Sequence, residues 1–105
     1  MQSTHYKKLV RDKIPEIIEA SGKTCSWEVL LDDEYVKKLN EKLLEEVNEY
    51  IETGSIEELA DINEVIKAIL EHKGISEEEV EELRLKKLEI RGGFKKRIVL
   101  KRVDG

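Results

Sequence analysis

Glu45-Glu46-Val47-Asn48-Glu49, followed across Gly54 by Glu57-Glu58-Leu59-Ala60-Asp61, is the stretch whose reading decides the fold. Each half carries carboxylates three residues apart, Glu46 with Glu49 and Glu58 with Asp61. At about 3.6 residues per turn, such pairs lie on neighbouring parts of one helix face. The two halves mirror each other about the glycine. In an antiparallel helical hairpin bent at Gly54, Glu49 stands level with Glu58 and Glu46 with Asp61, one turn further from the bend. Four carboxylates then converge on one patch. Like charges in a partly buried site repel strongly unless a cation neutralises them or their pKa values rise. Oxygen donors without His or Cys favour magnesium, calcium or manganese over zinc.

The flanking pattern predicts that hairpin. Asp32 or Asp33 opens a long helix in which Val36, Leu39, Leu43, Val47 and Tyr50 recur at spacings of three and four, an amphipathic stripe. Gly54 ends it. Ser55 starts the next helix with Glu58 three residues on, the spacing of a capping box. Its apolar residues, from Ile56 and Leu59 to Ile69 and Leu70, cover most of the circumference, which predicts the central buried helix before a stop at Gly74. Ser76 and Glu79 repeat the capping spacing and open a more polar, peripheral helix that Gly92-Gly93 breaks.

Ahead of the hairpin, Asp12 is placed to cap a short helix with Pro15 in its first turn, ending near Ser21 and Gly22. Thr24 to Leu30 reads as a brief strand or an extended connection. Phe94 to Val103 reads as an edge strand or tail, able to pair with the short extended piece at residues 4 to 11. The expected fold is therefore mainly all-α: about four helices in a bundle, with short extended ends, forming a single domain over residues 1–105.

Composition narrows the function. Apolar residues make up 39% of the 105 and charged residues 41%, so the core is thin and association into a homo-oligomer, a dimer or tetramer, is expected. The net charge of −5 argues against binding a nucleic-acid polymer. Cations nonetheless gather at both ends, with Lys7, Lys8, Arg11 and Lys13 before the acidic centre and Arg91, Lys95, Lys96, Arg97, Lys101 and Arg102 after it. That distribution suits a metal-bound polyphosphate, although solvated surface charge explains many of these side chains equally well. The lone Cys25 offers no disulfide and no metal-ligand spacing. With no signal-peptide core and no apolar run near the ~20 residues that span a bilayer, the sequence predicts a soluble cytoplasmic protein without a membrane partner.

Singly, each acid has an ordinary explanation. Glu58 can complete the capping box of Ser55, and Glu46 and Glu49 can be solvated glutamates beside an apolar stripe. Asp61 is harder to dismiss, because it sits within the most apolar helix, where an unpartnered acid is costly.

The spacing Glu45-Glu46-x-x-Glu49 with Glu58-x-x-Asp61 resembles the signature of the all-α nucleoside triphosphate pyrophosphohydrolases, the MazG-like group that includes phosphoribosyl-ATP pyrophosphohydrolase and the helical dUTPases and dCTPases. Leu9-Val10-Arg11-Asp12-Lys13-Ile14-Pro15 and Arg91-Gly92-Gly93-Phe94 resemble a compact, phosphoribosyl-ATP pyrophosphohydrolase-like branch of it. The likeness runs over nearly the whole chain. It implies a helical enzyme that binds Mg²⁺, with Mn²⁺ a possible substitute, through Glu46, Glu49, Glu58 and Asp61. It also implies hydrolysis of a nucleoside triphosphate to the monophosphate and pyrophosphate. Only eight residues separate Glu49 from Glu58, which shortens the hairpin by a turn or more relative to many relatives.

Within that expectation Glu45 or Glu49 orients or deprotonates the attacking water, and Arg11, Lys13, Arg91 and Lys95 contact phosphate. Trp27, Tyr35 and Phe94 are candidates for stacking on a base, with core packing the better expectation for each. Three functions follow: a house-cleaning nucleotide pyrophosphohydrolase, a phosphoribosyl-ATP pyrophosphohydrolase of histidine biosynthesis, or a non-catalytic helical dimerisation module.

Overall fold

The computed structural model describes residues 7–105. Among them the regular structure is entirely helical: α1 (Ile14–Ala20), α2 (Asp32–Thr53), α3 (Ile56–Lys73) and α4 (Glu77–Arg91). The expected all-α class and helix number hold. The chain divides into two compact units, one ending at Ile69 and the other running Leu70–Gly105.

In the first unit, α2 ends where Gly54 takes up the left-handed conformation, φ 65°, and returns its N–H to the Tyr50 carbonyl at 2.7 Å. A side chain other than glycine is strained there. The chain reverses at once, and α3 begins two residues later. Leu39 of α2 and Val65 of α3 are the buried apolar residues of the hairpin, each contributing on the order of 1.5–3 kcal/mol of burial free energy.

Several local expectations are corrected. Asp12 does not cap α1: Lys13 is the N-cap residue and supplies no side-chain bond, and the N–H of Ile14 closes a turn on the Arg11 carbonyl at 3.0 Å. Pro15 does sit in the first turn. α2 opens at Asp32 as expected, with Leu31 as its N-cap; Asp32 and Asp33 lie in the first turn, where the helix dipole favours negative charge. The capping box at Ser55 is also not formed. Ser55 Oγ accepts from the Glu57 N–H at 3.2 Å, while the Ser55 N–H goes to Thr53 Oγ1, also at 3.2 Å, rather than to Glu58. At α4 the N-cap half of the motif forms, Ser76 Oγ accepting from the Glu79 N–H at 3.1 Å.

Thr24 to Leu30 is an irregular connection, not a strand; the Cys25 thiol lies 3.9 Å from the Pro15 carbonyl and tethers it to α1. Phe94 to Val103 forms no strand either. A turn closes from the Arg97 N–H to the Phe94 carbonyl at 3.1 Å, and Arg97 adopts φ 58°, which breaks the extension before Ile98. Residues 7 to 11 are irregular as well, so no pairing of the two ends occurs among the described residues; the rest of the proposed N-terminal piece lies outside them. A two-stranded ribbon without a third strand or a covering helix is marginal in water.

The expectation that α3 is the central buried helix also fails. Val65 is buried, but Ile56, Leu59 and Ile66 are exposed, because the hairpin covers one side of α3 and these three fall on the other. In the second unit no residue from Glu71 onward is even half-buried. No helix among the described residues is long and apolar enough to cross a membrane.

Candidate metal centre

Because α2 and α3 run antiparallel from a two-residue bend, Glu46 on α2 meets Glu58 and Asp61 on α3. One carboxylate oxygen from each of the three lies within 4.8 Å of the other two. Oxygens bound to a single divalent ion at about 2.1–2.6 Å stand no more than about 4–5 Å apart, so the spacing suits one ion.

Glu46 is only 6% exposed. Its Oε1 faces Lys42 Nζ at 3.3 Å, one helical turn earlier on α2, but its Oε2 is buried with no donor. Glu58 is half-buried, and its Oε2 is likewise without a donor. Each of the two acids thus keeps a buried acceptor without a donor, and neighbouring carboxylates cannot satisfy each other unless one is protonated. Glu58 responds in that direction: desolvation first, then hydrogen bonding to and the charge of Glu49, then the same effects from Glu46, push its carboxyl up to about 7.

Asp61 is half-buried, its side chain 38% exposed, and it is not unpartnered: Arg11 donates from Nη2 to its Oδ1 at 2.7 Å. Glu49, one of the four acids read from the sequence, stands beside Glu58 rather than in the three-oxygen group. Glu45 is held by two cations, Lys8 Nζ at 3.1 Å and Lys42 Nζ at 3.7 Å. The segment before α1 is thus pinned across the acids, a third tie being Lys38 Nζ to the Lys7 carbonyl at 2.9 Å.

Of the four basic residues assigned to phosphate, Arg11 is at the cluster and Lys13 is exposed at the start of α1. Arg91 closes α4 and Lys95 lies in the turn beyond it, both in the second unit. The expectation that Trp27 and Phe94 pack in a core is corrected, since they are 64% and 98% exposed; Tyr35 is half-buried. Lys42 and Lys8 were missed. Lys42 was readable, because a lysine three and four residues before Glu45 and Glu46 shares their helix face. Lys8 was not, because its contact spans 37 residues.

Set against known proteins, the chain is 57% identical over 42 residues to an uncharacterized protein of Mycolicibacterium smegmatis, a stretch that is 40% of this chain and 43% of that one. The match thus spans less than half of that relative's length. No family model and no solved structure matches the chain.

Proposed function

We propose that this chain is a Mg²⁺-dependent nucleotide pyrophosphohydrolase of the MazG-like type, cleaving a nucleoside triphosphate to the monophosphate and pyrophosphate. The observation that carries this reading is the convergence of Glu46, Glu58 and Asp61, in which Glu46 and Glu58 each keep a buried oxygen without a donor. A set of hard oxygen donors with unmet negative charge fits a hard divalent cation. Glu46, Glu58 and Asp61 would hold Mg²⁺, with Glu49 beside them, and the ion would neutralise triphosphate oxygens that otherwise repel an incoming water.

The remaining chemistry falls to side chains of the chain itself. Water adds to phosphorus, the α–β anhydride bond breaks, and the water's proton passes to a carboxylate oxygen. Glu49 suits that role better than Glu45, whose carboxylate is occupied by Lys8 and Lys42. Arg11, with its planar fork, would leave Asp61 for a phosphate, joined by Lys13. Association into a homo-oligomer and a cytoplasmic location, with which the lone Cys25 agrees, complete the reading.

One observation favours the non-catalytic module. Arg11–Asp61 and Lys42–Glu46 already neutralise two of the acids. The two readings separate on product analysis of a panel of nucleoside triphosphates plus phosphoribosyl-ATP by phosphorus NMR. Monophosphate and pyrophosphate formed with Mg²⁺ and suppressed by chelator support the enzyme, and the best substrate distinguishes house-cleaning from histidine biosynthesis. A folded, Mg²⁺-supplied protein that leaves the whole panel intact contradicts the proposal.

A further inference from the structure

Residues Leu70–Gly105 form a compact unit of their own, yet every residue from Glu71 onward is exposed. Units below about 40 residues rarely hold together without a disulfide, a metal or association. This one has no cysteine. Along α4, Val80, Leu83 and Ile90 line one side of the helix, with Lys87 among them, and are 40%, 55% and 81% exposed, while Leu85 and Leu88, 49% and 44% exposed, lie on the other side. Such a stripe is costly to leave in water.

The charges beside the stripe say what covers it. The first half of α4 holds Glu77, Glu78, Glu79, Glu81 and Glu82; the second half holds Arg84, Lys86, Lys87 and Arg91 against the single Glu89. A helix acidic at one end and basic at the other is complementary to itself when reversed. Parallel pairing sets like charge on like, whereas antiparallel pairing sets each acidic half on a basic one. We propose that two copies of this chain associate through α4, antiparallel about a two-fold axis near the middle of the helix, with Val80, Leu83 and Ile90 of each copy against the other. Glu82 then faces Lys86 of the second copy, and Lys86 faces its Glu82. The apolar stripe supplies affinity and the charged flanks set direction. This association does not depend on the chemistry proposed for Glu46, Glu58 and Asp61.

Sedimentation of the 105-residue chain tests it. The wild type should sediment as at least a dimer of the 12.2 kDa chain, and Leu83→Glu, which alters an already exposed side chain, should weaken association about a hundredfold with helicity by circular dichroism unchanged. Glu82→Lys alone and Lys86→Glu alone should each weaken it about tenfold, while an equal mixture of the two recovers wild-type affinity, because the mixed pair restores opposite charges at both contacts. A wild type that stays monomeric at high micromolar concentration overturns the proposal. So does an oligomer indifferent to Leu83→Glu, which would place the contact elsewhere, for instance on the exposed side of α3. If Leu83→Glu loses helicity, zero-length cross-linking of mixed ¹⁴N and ¹⁵N wild-type chains decides instead. Mixed-isotope links from Lys86 or Lys87 to Glu81 or Glu82 support antiparallel pairing, and their absence contradicts it.

Discussion

Glu46 on α2 and Glu58 on α3 each hold a buried Oε2 with no hydrogen-bond donor, in a group with Asp61 no more than 4.8 Å across. Neither can satisfy the other while both are ionised, so the folded chain keeps unmet negative charge at one place. A proton on Glu58 relieves it in part, and a divalent cation would relieve it more fully.

Metal-free stability should therefore fall as pH rises. The Glu58 carboxyl is raised from 4.5 to about 7, chiefly by desolvation and then by Glu49 and Glu46. A group that holds its proton more tightly when folded stabilises the fold fully below its unfolded value and loses that contribution as pH climbs through its folded value. Between about pH 5 and about pH 8 the melting temperature of the metal-free chain should drop. Mg²⁺ binds the ionised form, so the rise in melting temperature on adding millimolar Mg²⁺ should grow over the same interval. Thermal melts with and without Mg²⁺ across that range check both trends.

Arg11→Ala separates metal binding from substrate binding. Removing the guanidinium frees Asp61, so Mg²⁺ affinity in the absence of nucleotide should hold or improve. The KM for the triphosphate should rise about 10–100-fold, the worth of one charged hydrogen bond. Calorimetric Mg²⁺ titration beside steady-state kinetics tests the split, and a parallel loss of metal affinity would count against it.

Gly54→Ala should cost about 1 kcal/mol, or about 4–8 °C in melting temperature. A Cβ there meets nothing within 4 Å, so the penalty comes from the left-handed backbone, φ 65°, alone. A melt within a degree of wild type would show that the bend tolerates other conformations.

The hairpin was legible because its signals are local. The recurrence of Val36, Leu39, Leu43 and Val47, the glycine at 54 and the paired acids on either side together specify two helices and which residues meet across them. Glu46, Glu58 and Asp61 met as expected from their distance to the bend. What failed depended on competition or distance. Ser55 and Glu58 have capping-box spacing, but Thr53 Oγ1 sits closer to the same N–H, and Glu58 turns into the hairpin instead. The exposure of Ile56, Leu59 and Phe94 was misread because apolar character states a need for cover, not whether one chain provides it. The Arg11–Asp61 contact spans 50 residues, and no pattern in either segment announces it.

Asp61→Asn gives the most direct test of the central claim. Its pair with Arg11 joins side chains 57% and 38% exposed, so solvent screening limits the stability change to about 1 kcal/mol or less, and the variant should stay folded. Pyrophosphate release from a preferred triphosphate, followed for wild type and variant with Mg²⁺ and with chelator, should be Mg²⁺-dependent in the wild type. It should fall at least about 100-fold in the variant, the scale expected when an ion's binding set is damaged. Equal release by both proteins, or release that persists in chelator, would contradict the assignment of these acids as a metal centre.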